Sequence, residues 1–150
     1  MQRTFFILLI TIATFSFCIP KSISPEPLLR ESILKVEMNL SAFGVESDNF
    51  PSIKGYIDFP KDSNNFEKSY YNPAIKGSKY NLSHDEINKI RELLQNANLE
   101  KLKGEYKIGK TDQPTSTIII YTSQRKFTIK DYGLEGEYPL QELYKLVYKL

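Results

Sequence analysis

The 150-residue chain holds one cysteine and one histidine, and that scarcity closes off several chemistries at once. With His84 alone, a histidine-rich metal cluster lacks its material, so no metal and no cofactor is expected. His84 also opens a predicted helix, where an exposed side chain is the ordinary outcome. The lone Cys18 lacks an intrachain disulfide partner, and nothing beside it would activate a catalytic thiol. No glycine-rich phosphate loop occurs: Gly133 and Gly136 bracket Leu134-Glu135 and read as turn glycines. Charge of one sign is nowhere concentrated. Lys+Arg number 20 against 18 Asp+Glu, a net +2, with no block of either, which argues against a nucleic-acid or anionic-membrane surface. The apolar run that opens the chain is too short for a comfortable transmembrane helix, which needs roughly 20 residues.

What is present starts with a leader. Met1-Gln2-Arg3 is a short basic opening, Phe5 to Ala13 carries no charge, and Thr14 to Cys18 follows, which is the three-part grammar of a secretory signal peptide over residues 1–18. Two cleavage readings stay open. Cys18 is the lipidated first residue of a lipoprotein, with Ser16 suited to its position and bulky Phe17 fitting poorly; or Ser16 and Cys18 meet the small-residue rule of ordinary signal peptidase, and a secreted protein begins at Ile19. A lipid accounts better for an unpaired thiol. The expected location is therefore the envelope: a periplasmic or outer-membrane-anchored lipoprotein touching membrane only through Cys18, or a secreted protein. Residues 19–32, with Pro20, Pro25 and Pro27, read as an extended tether.

Residues 33–150 read as a single domain, long enough for a modest core. Apolar and polar residues alternate from Ile33 to Leu40, placing Leu34, Val36, Met38 and Leu40 on one face, and again from Ile53 to Phe59. Pro60 to Asn65 is turn-rich, Phe66 to Tyr71 a third strand ended by Asn72-Pro73, and Ala74 to Tyr80 a short edge candidate. Ser83 with Glu86 forms a capping box for a helix carrying Ile87, Ile90, Leu94 and Ala97 on one stripe, fraying near Asn96 to Asn98. Leu99 and Leu102 pack its exit. Ile118 to Thr122 and Lys126 to Gly133, joined by Ser123-Gln124-Arg125, make a hairpin. Pro139 fits the first helical position of a last helix ending at Leu150, with Leu140, Leu143, Tyr144 and Val147 inward. The predicted fold class is α+β: one antiparallel sheet of about five strands, in the order β-β-β-α-β-β-α, with both helices on one face.

The order of Phe43-Gly44, Thr111-Asp112, Pro114-Thr115 and Asp131-Tyr132-Gly133 among these elements resembles an uncharacterised family of exported bacterial proteins, the domain of unknown function numbered 6438. The resemblance spans Ile33 to Leu150 and implies no activity. Members often carry two cysteines around the Phe-Gly loop. Ala42 stands where the first would be, and Val45 to Phe50 has none, so whatever those cysteines staple or bind is missing here.

The candidate site residues are Thr111, Asp112, Asp131, Tyr132 and Gly133. Asp112 and Asp131 flank the hairpin and would serve as paired carboxylates if they converged; otherwise each accepts backbone N–H bonds at a turn or strand end. Strict alternation points Asp131 to the Phe127 and Ile129 face, where an unpaired charge would cost several kcal/mol. Donors from the Thr111 to Thr115 loop are the expected remedy, with Gly133 turning the chain away. Asn81-Leu82-Ser83 matches a glycosylation acceptor, although Ser83 already has a capping role. Tyr70, Tyr71, Tyr80 and Tyr106 suggest a sugar- or peptide-binding surface, or strand residues half-covered by neighbours. Two functions follow: a non-catalytic envelope domain binding a protein, peptide or glycan, and, as the alternative, a small hydrolase using carboxylates near Asp112 and Asp131.

Overall fold

The computed structural model describes residues 31–150; the expected signal peptide with Cys18, and the tether up to Arg30, lie outside the described residues. Four strands come first: β1 (Ile33–Ser41), β2 (Ser52–Asp58), β3 (Ser63–Ser69) and β4 (Ser78–Tyr80). Helix α1 (His84–Asn96) and a 3-10 turn (Leu99–Lys101) lead to β5 (Glu105–Lys107), β6 (Thr115–Thr122), β7 (Lys126–Tyr132) and helix α2 (Leu140–Tyr148). They build one sheet in the order β4-β3-β2-β1-β6-β7-β5. The α+β class holds, but the sheet has seven strands among the described residues and is mixed, because β5 runs parallel to β7. The count of five left out the two edges: β4 falls at the end of the Ala74 to Tyr80 edge candidate, and β5 was not foreseen. Each is only three residues long, too short to show a two-residue period.

The inner face follows from alternation. Across the strands, Met38 stands opposite Gly55 and Ile118, Gly55 opposite Phe66, and Ile118 opposite Ile129. This row is the centre of the core. Both helices cover that same face: Ile87, Ile90 and Leu94 of α1 and Leu140, Leu143, Tyr144, Val147 and Tyr148 of α2 join the one buried cluster. The helices touch, and Lys149 reaches Glu86 at 2.9 Å. Among the described residues, the other face of the sheet carries no layer of its own.

Local departures from the expected pattern have physical causes. Leu34 points outward, 37% exposed, while Ile33 and Val36 are buried, because the β1–β6 register shifts between Ile33 and Lys35. Strand β3 starts at Ser63, ahead of the expected Phe66, since Asp62 takes the left-handed turn conformation at φ 47° and releases Ser63 to pair with Asp58. Strand β6 starts at Thr115 and not at Ile118: its polar beginning is accommodated because buried Ser116 shares a 2.7 Å hydrogen bond with the Tyr148 hydroxyl. Glu31 and Ser32, expected in the tether, are bound to the hairpin turn. Ser123 N donates to the Ser32 carbonyl at 2.9 Å, and Arg125 pairs with Glu31 at 3.2 Å.

The capping box at α1 forms as its residues require. Glu86 N donates to Ser83 Oγ, and Ser83 N to the Glu86 carboxylate at 2.8 Å. Ser83→Ala should therefore lower unfolding free energy by about 1 kcal/mol, read as a reduced denaturant midpoint at unchanged slope.

Candidate functional site

The residues singled out in the sequence fall into two different environments. Asp131 is fully buried on the inner face, as alternation requires, opposite Ser116. Its carboxylate accepts from Glu135 N at 2.9 Å, Gly136 N at 2.7 Å and the Tyr144 hydroxyl at 2.6 Å. The donors thus come from the turn that follows β7 and from α2, not from the Thr111 to Thr115 loop. A turn closing back within five residues keeps its amides nearer to Asp131 than a separate loop does. The turn is tight: a Cβ on Gly136 would meet Asp131 Oδ2 at 2.8 Å and Leu140 Cδ1 at 2.5 Å. Burial, then Asp131 beside it, pushes the Tyr144 phenol above its ordinary range. Burial raises Tyr148 likewise, and its ring stacks on Tyr144 at 5.6 Å. Asp131, Tyr144, Ser116 and Tyr148 line up as a satisfied buried polar seam from sheet to helix, and this arrangement holds an architecture together.

Asp112 lies outside that seam. It is exposed, in the left-handed region at φ 59°, and its carboxylate accepts from Thr111 Oγ1 at 2.9 Å. The two aspartates share no hydrogen-bond partner, one facing solvent and the other sealed in the core. The 111–115 loop instead clasps Tyr132 and Gly133: Gln113 N donates to the Tyr132 hydroxyl at 3.3 Å, and Gly133 N to the Pro114 carbonyl at 2.9 Å. Gly133 sits at φ 96°, with the Ile108 side chain 2.4 Å from where a Cβ would stand. Backbone freedom and close approach both require glycine there. Among the described residues, no group of three or more His, Cys, Asp or Glu is placed to hold a metal ion. His84 is exposed, 3.6 Å from Asp62.

The tyrosines do not form one surface. Tyr106 is buried and its hydroxyl accepts from Lys103 N at 3.1 Å. Tyr80 donates to the Val147 carbonyl at 2.7 Å, with its phenol pushed up to about 12 by burial and by Glu86. Only Tyr71 of the expected four is largely exposed, at 74%. Two others, Tyr56 and Tyr121, lie on the uncovered sheet face around Lys35 Nζ, at 5.3 and 5.8 Å from their ring centres. A shallow depression there is lined by Glu37, Asn39, Lys54, Tyr56, Thr117 and Ile119.

The better-formed concavity is a cleft of about 490 Å³ where α1 runs out over the start of β1 and the hairpin. Its apolar lining is Ile33, Leu94, Ala97, Leu99 and Phe127, and its polar lining includes Gln95, Asn96, Asn98, Glu31, Glu100 and Thr122. Helix α1 stops because Ala97 turns extended, at ψ 147°, and the chain then swings through Asn98 into the 3-10 turn. That exit leaves the Gln95, Asn96 and Asn98 carboxamides exposed at the rim. At the opposite rim Thr122 organises the hairpin turn: its Oγ accepts from Arg125 N at 3.0 Å and lies against the Glu31 carboxylate. Arg125 completes the corner, stacked on Phe127 at 5.1 Å and paired with Glu31 at 3.2 Å and Glu100 at 2.5 Å. The Thr122 hydroxyl, then Arg125, holds the Glu31 carboxyl below the usual carboxylate range. A carboxylate kept ionised in this way accepts hydrogen bonds and makes a poor general acid.

In the sequence, Asn96 to Asn98 carry only the mark of a fraying helix end and Glu31 that of a tether, while Leu94, Ala97, Leu99 and Phe127 read as packing residues. The one local signal is three carboxamides within four positions at a helix exit, followed by Leu99. No curated protein and no solved structure matches the chain. Residues 50–150 match the family described as Domain of unknown function (DUF6438). That span includes Thr111-Asp112, Pro114-Thr115 and Asp131-Tyr132-Gly133 and begins after Phe43-Gly44. The elements and the matched span together make this chain a member of the DUF6438 family.

Proposed function

We propose that the protein is a non-catalytic cell-envelope domain, held at the membrane by a lipid on Cys18 or secreted, which binds a protein, peptide or glycan. The observation that carries this reading is the cleft at the exit of α1. Its apolar floor of Leu94, Ala97, Leu99 and Phe127, rimmed by carboxamides and carboxylates, has the make-up of a recognition site: apolar area for affinity and a few polar groups for orientation. The edges of the sheet favour it over strand addition. Strands β4 and β5 are only three residues each, and short edges resist pairing with another chain. The hydrolase alternative requires accessible converging carboxylates, whereas Asp131 is sealed behind three donors.

The test fills the cleft. Ala97 is half-buried in its lining with an extended backbone, so Ala97→Trp should occupy it without disturbing the core. Screened against a tetrapeptide library and an oligosaccharide panel, the wild type should retain ligands that Ala97→Trp loses by more than tenfold, about 1.4 kcal/mol. Ligands kept equally by both proteins would move the binding surface elsewhere. The export part of the proposal rests on residues 1–18 and is read by fatty-acid labelling, expected for the wild type and absent in Cys18→Ser. A wild type that takes up no label leaves ordinary secretion.

A further inference from the structure

The proposed cleft has a sign. Among the described residues, its lining contains two carboxylates, Glu31 and Glu100, and no lysine or arginine. The last turn of α1, which ends in the lining, carries no basic residue, so the negative end of the helix dipole is left uncompensated there. One guanidinium, that of Arg125, stands at the rim and is shared between the two carboxylates. Lys101 of the 3-10 turn adjoins Glu100 but does not line the cleft, so the lining and its paired guanidinium set two anions against one cation beside an apolar floor.

We infer that the cleft recognises a peptide segment in which a lysine or arginine adjoins an apolar residue. The inference rests on the cleft being the binding site. Three features point the same way. The floor of Leu94, Ala97, Leu99 and Phe127 suits an apolar side chain. The Gln95, Asn96 and Asn98 carboxamides offer both donors and acceptors, the complement of a peptide backbone. Arg125 itself displays the recognition: a guanidinium laid over the Phe127 ring, with carboxylates on either side. A second cationic side chain finds in Glu100, which is exposed, a partner that Arg125 satisfies from one direction only. Charge complementarity selects this occupant over a neutral glycan, which would leave the excess negative charge unanswered.

Calorimetry on the full-length protein tests it with three blocked tripeptides: Leu-Leu-Arg, its neutral isostere Leu-Leu-citrulline, and Leu-Leu-Glu. The arginine peptide should bind about tenfold or more tighter than the citrulline peptide, with the glutamate peptide weakest. Glu100→Gln should abolish that preference while the circular dichroism spectrum stays unchanged, and Ala97→Trp should abolish binding of all three. Equal affinity for the arginine and citrulline peptides overturns the inference, as does a preference that survives Glu100→Gln. A neutral oligosaccharide bound by the wild type and lost in Ala97→Trp would also overturn it while leaving the cleft as the binding site. Concentration-dependent self-association lost in Ala97→Trp would make a second copy the occupant and overturn it likewise. If Ala97→Trp leaves every affinity unchanged, the cleft reading itself falls.

Discussion

Asp131→Ala should destabilise the domain by about 3–5 kcal/mol, since three donors lose their buried acceptor at about 1–3 kcal/mol each and relax in part. The substitution strips an acceptor from Glu135 N, Gly136 N and the Tyr144 hydroxyl together, and Asp131 is fully buried, so water does not replace it. The loss should spread beyond the strand. Tyr144 belongs to α2 and stacks on Tyr148, whose hydroxyl is bonded to Ser116 of β6, so α2 loses its polar attachment to the sheet. Asp131→Asn keeps one acceptor oxygen but turns the other into a donor facing a donor; about 1–3 kcal/mol is expected. Equilibrium unfolding in urea measures both. An Asp131→Ala protein as stable as the wild type would remove the structural role assigned here.

Gly55→Ala is the second large effect, about 3 kcal/mol, at the upper end of the overpacking range. A Cβ at Gly55 would stand 2.2 Å from the Asn65 carbonyl oxygen and 2.4 Å from Phe66 Cδ1. The oxygen is backbone of the neighbouring strand, so it cannot swing aside, and Phe66 is buried and stacked with Tyr80 at 5.5 Å. Relief requires β2 and β3 to separate and Phe66 to shift. Gly109→Ala is the control, since nothing lies within 4 Å of its Cβ position, and a change within about 0.5 kcal/mol is expected. Thermal unfolding of the pair side by side reads the difference. Equal midpoints would show that Phe66 repacks freely.

The elements with long, regular patterns were legible from the residues. The inward set of β2, the capping box, the apolar stripe of α1 and the hairpin all stand where alternation and capping chemistry put them. So does the inward carboxylate of Asp131, because a two-residue period leaves no other face for it. What escaped were features decided by tertiary partners. Glu105-Tyr106-Lys107 becomes a strand only because β7 lies beside it. Ser116 becomes a core residue only because the Tyr148 hydroxyl meets it. The Asp131 donors depend on how sharply the chain turns after Gly133, which the residues permit without specifying. The cleft was the least legible, because Glu31, Asn98 and Thr122 come from three separated segments and carry no shared sequence signal.

Asp131-Tyr132-Gly133 is held in the buried seam and turn that build the fold, and recognition is proposed at the exit of α1. One comparison tests this division most directly: the affinity of a retained ligand for folded Asp131→Asn and for folded Ala97→Trp, each against the wild type. Affinity per folded molecule should be unchanged in Asp131→Asn, despite its lower stability, and should fall more than tenfold, about 1.4 kcal/mol, in Ala97→Trp at nearly unchanged stability. An Asp131→Asn protein of undiminished stability that no longer binds, beside an Ala97→Trp protein that binds normally, would contradict it.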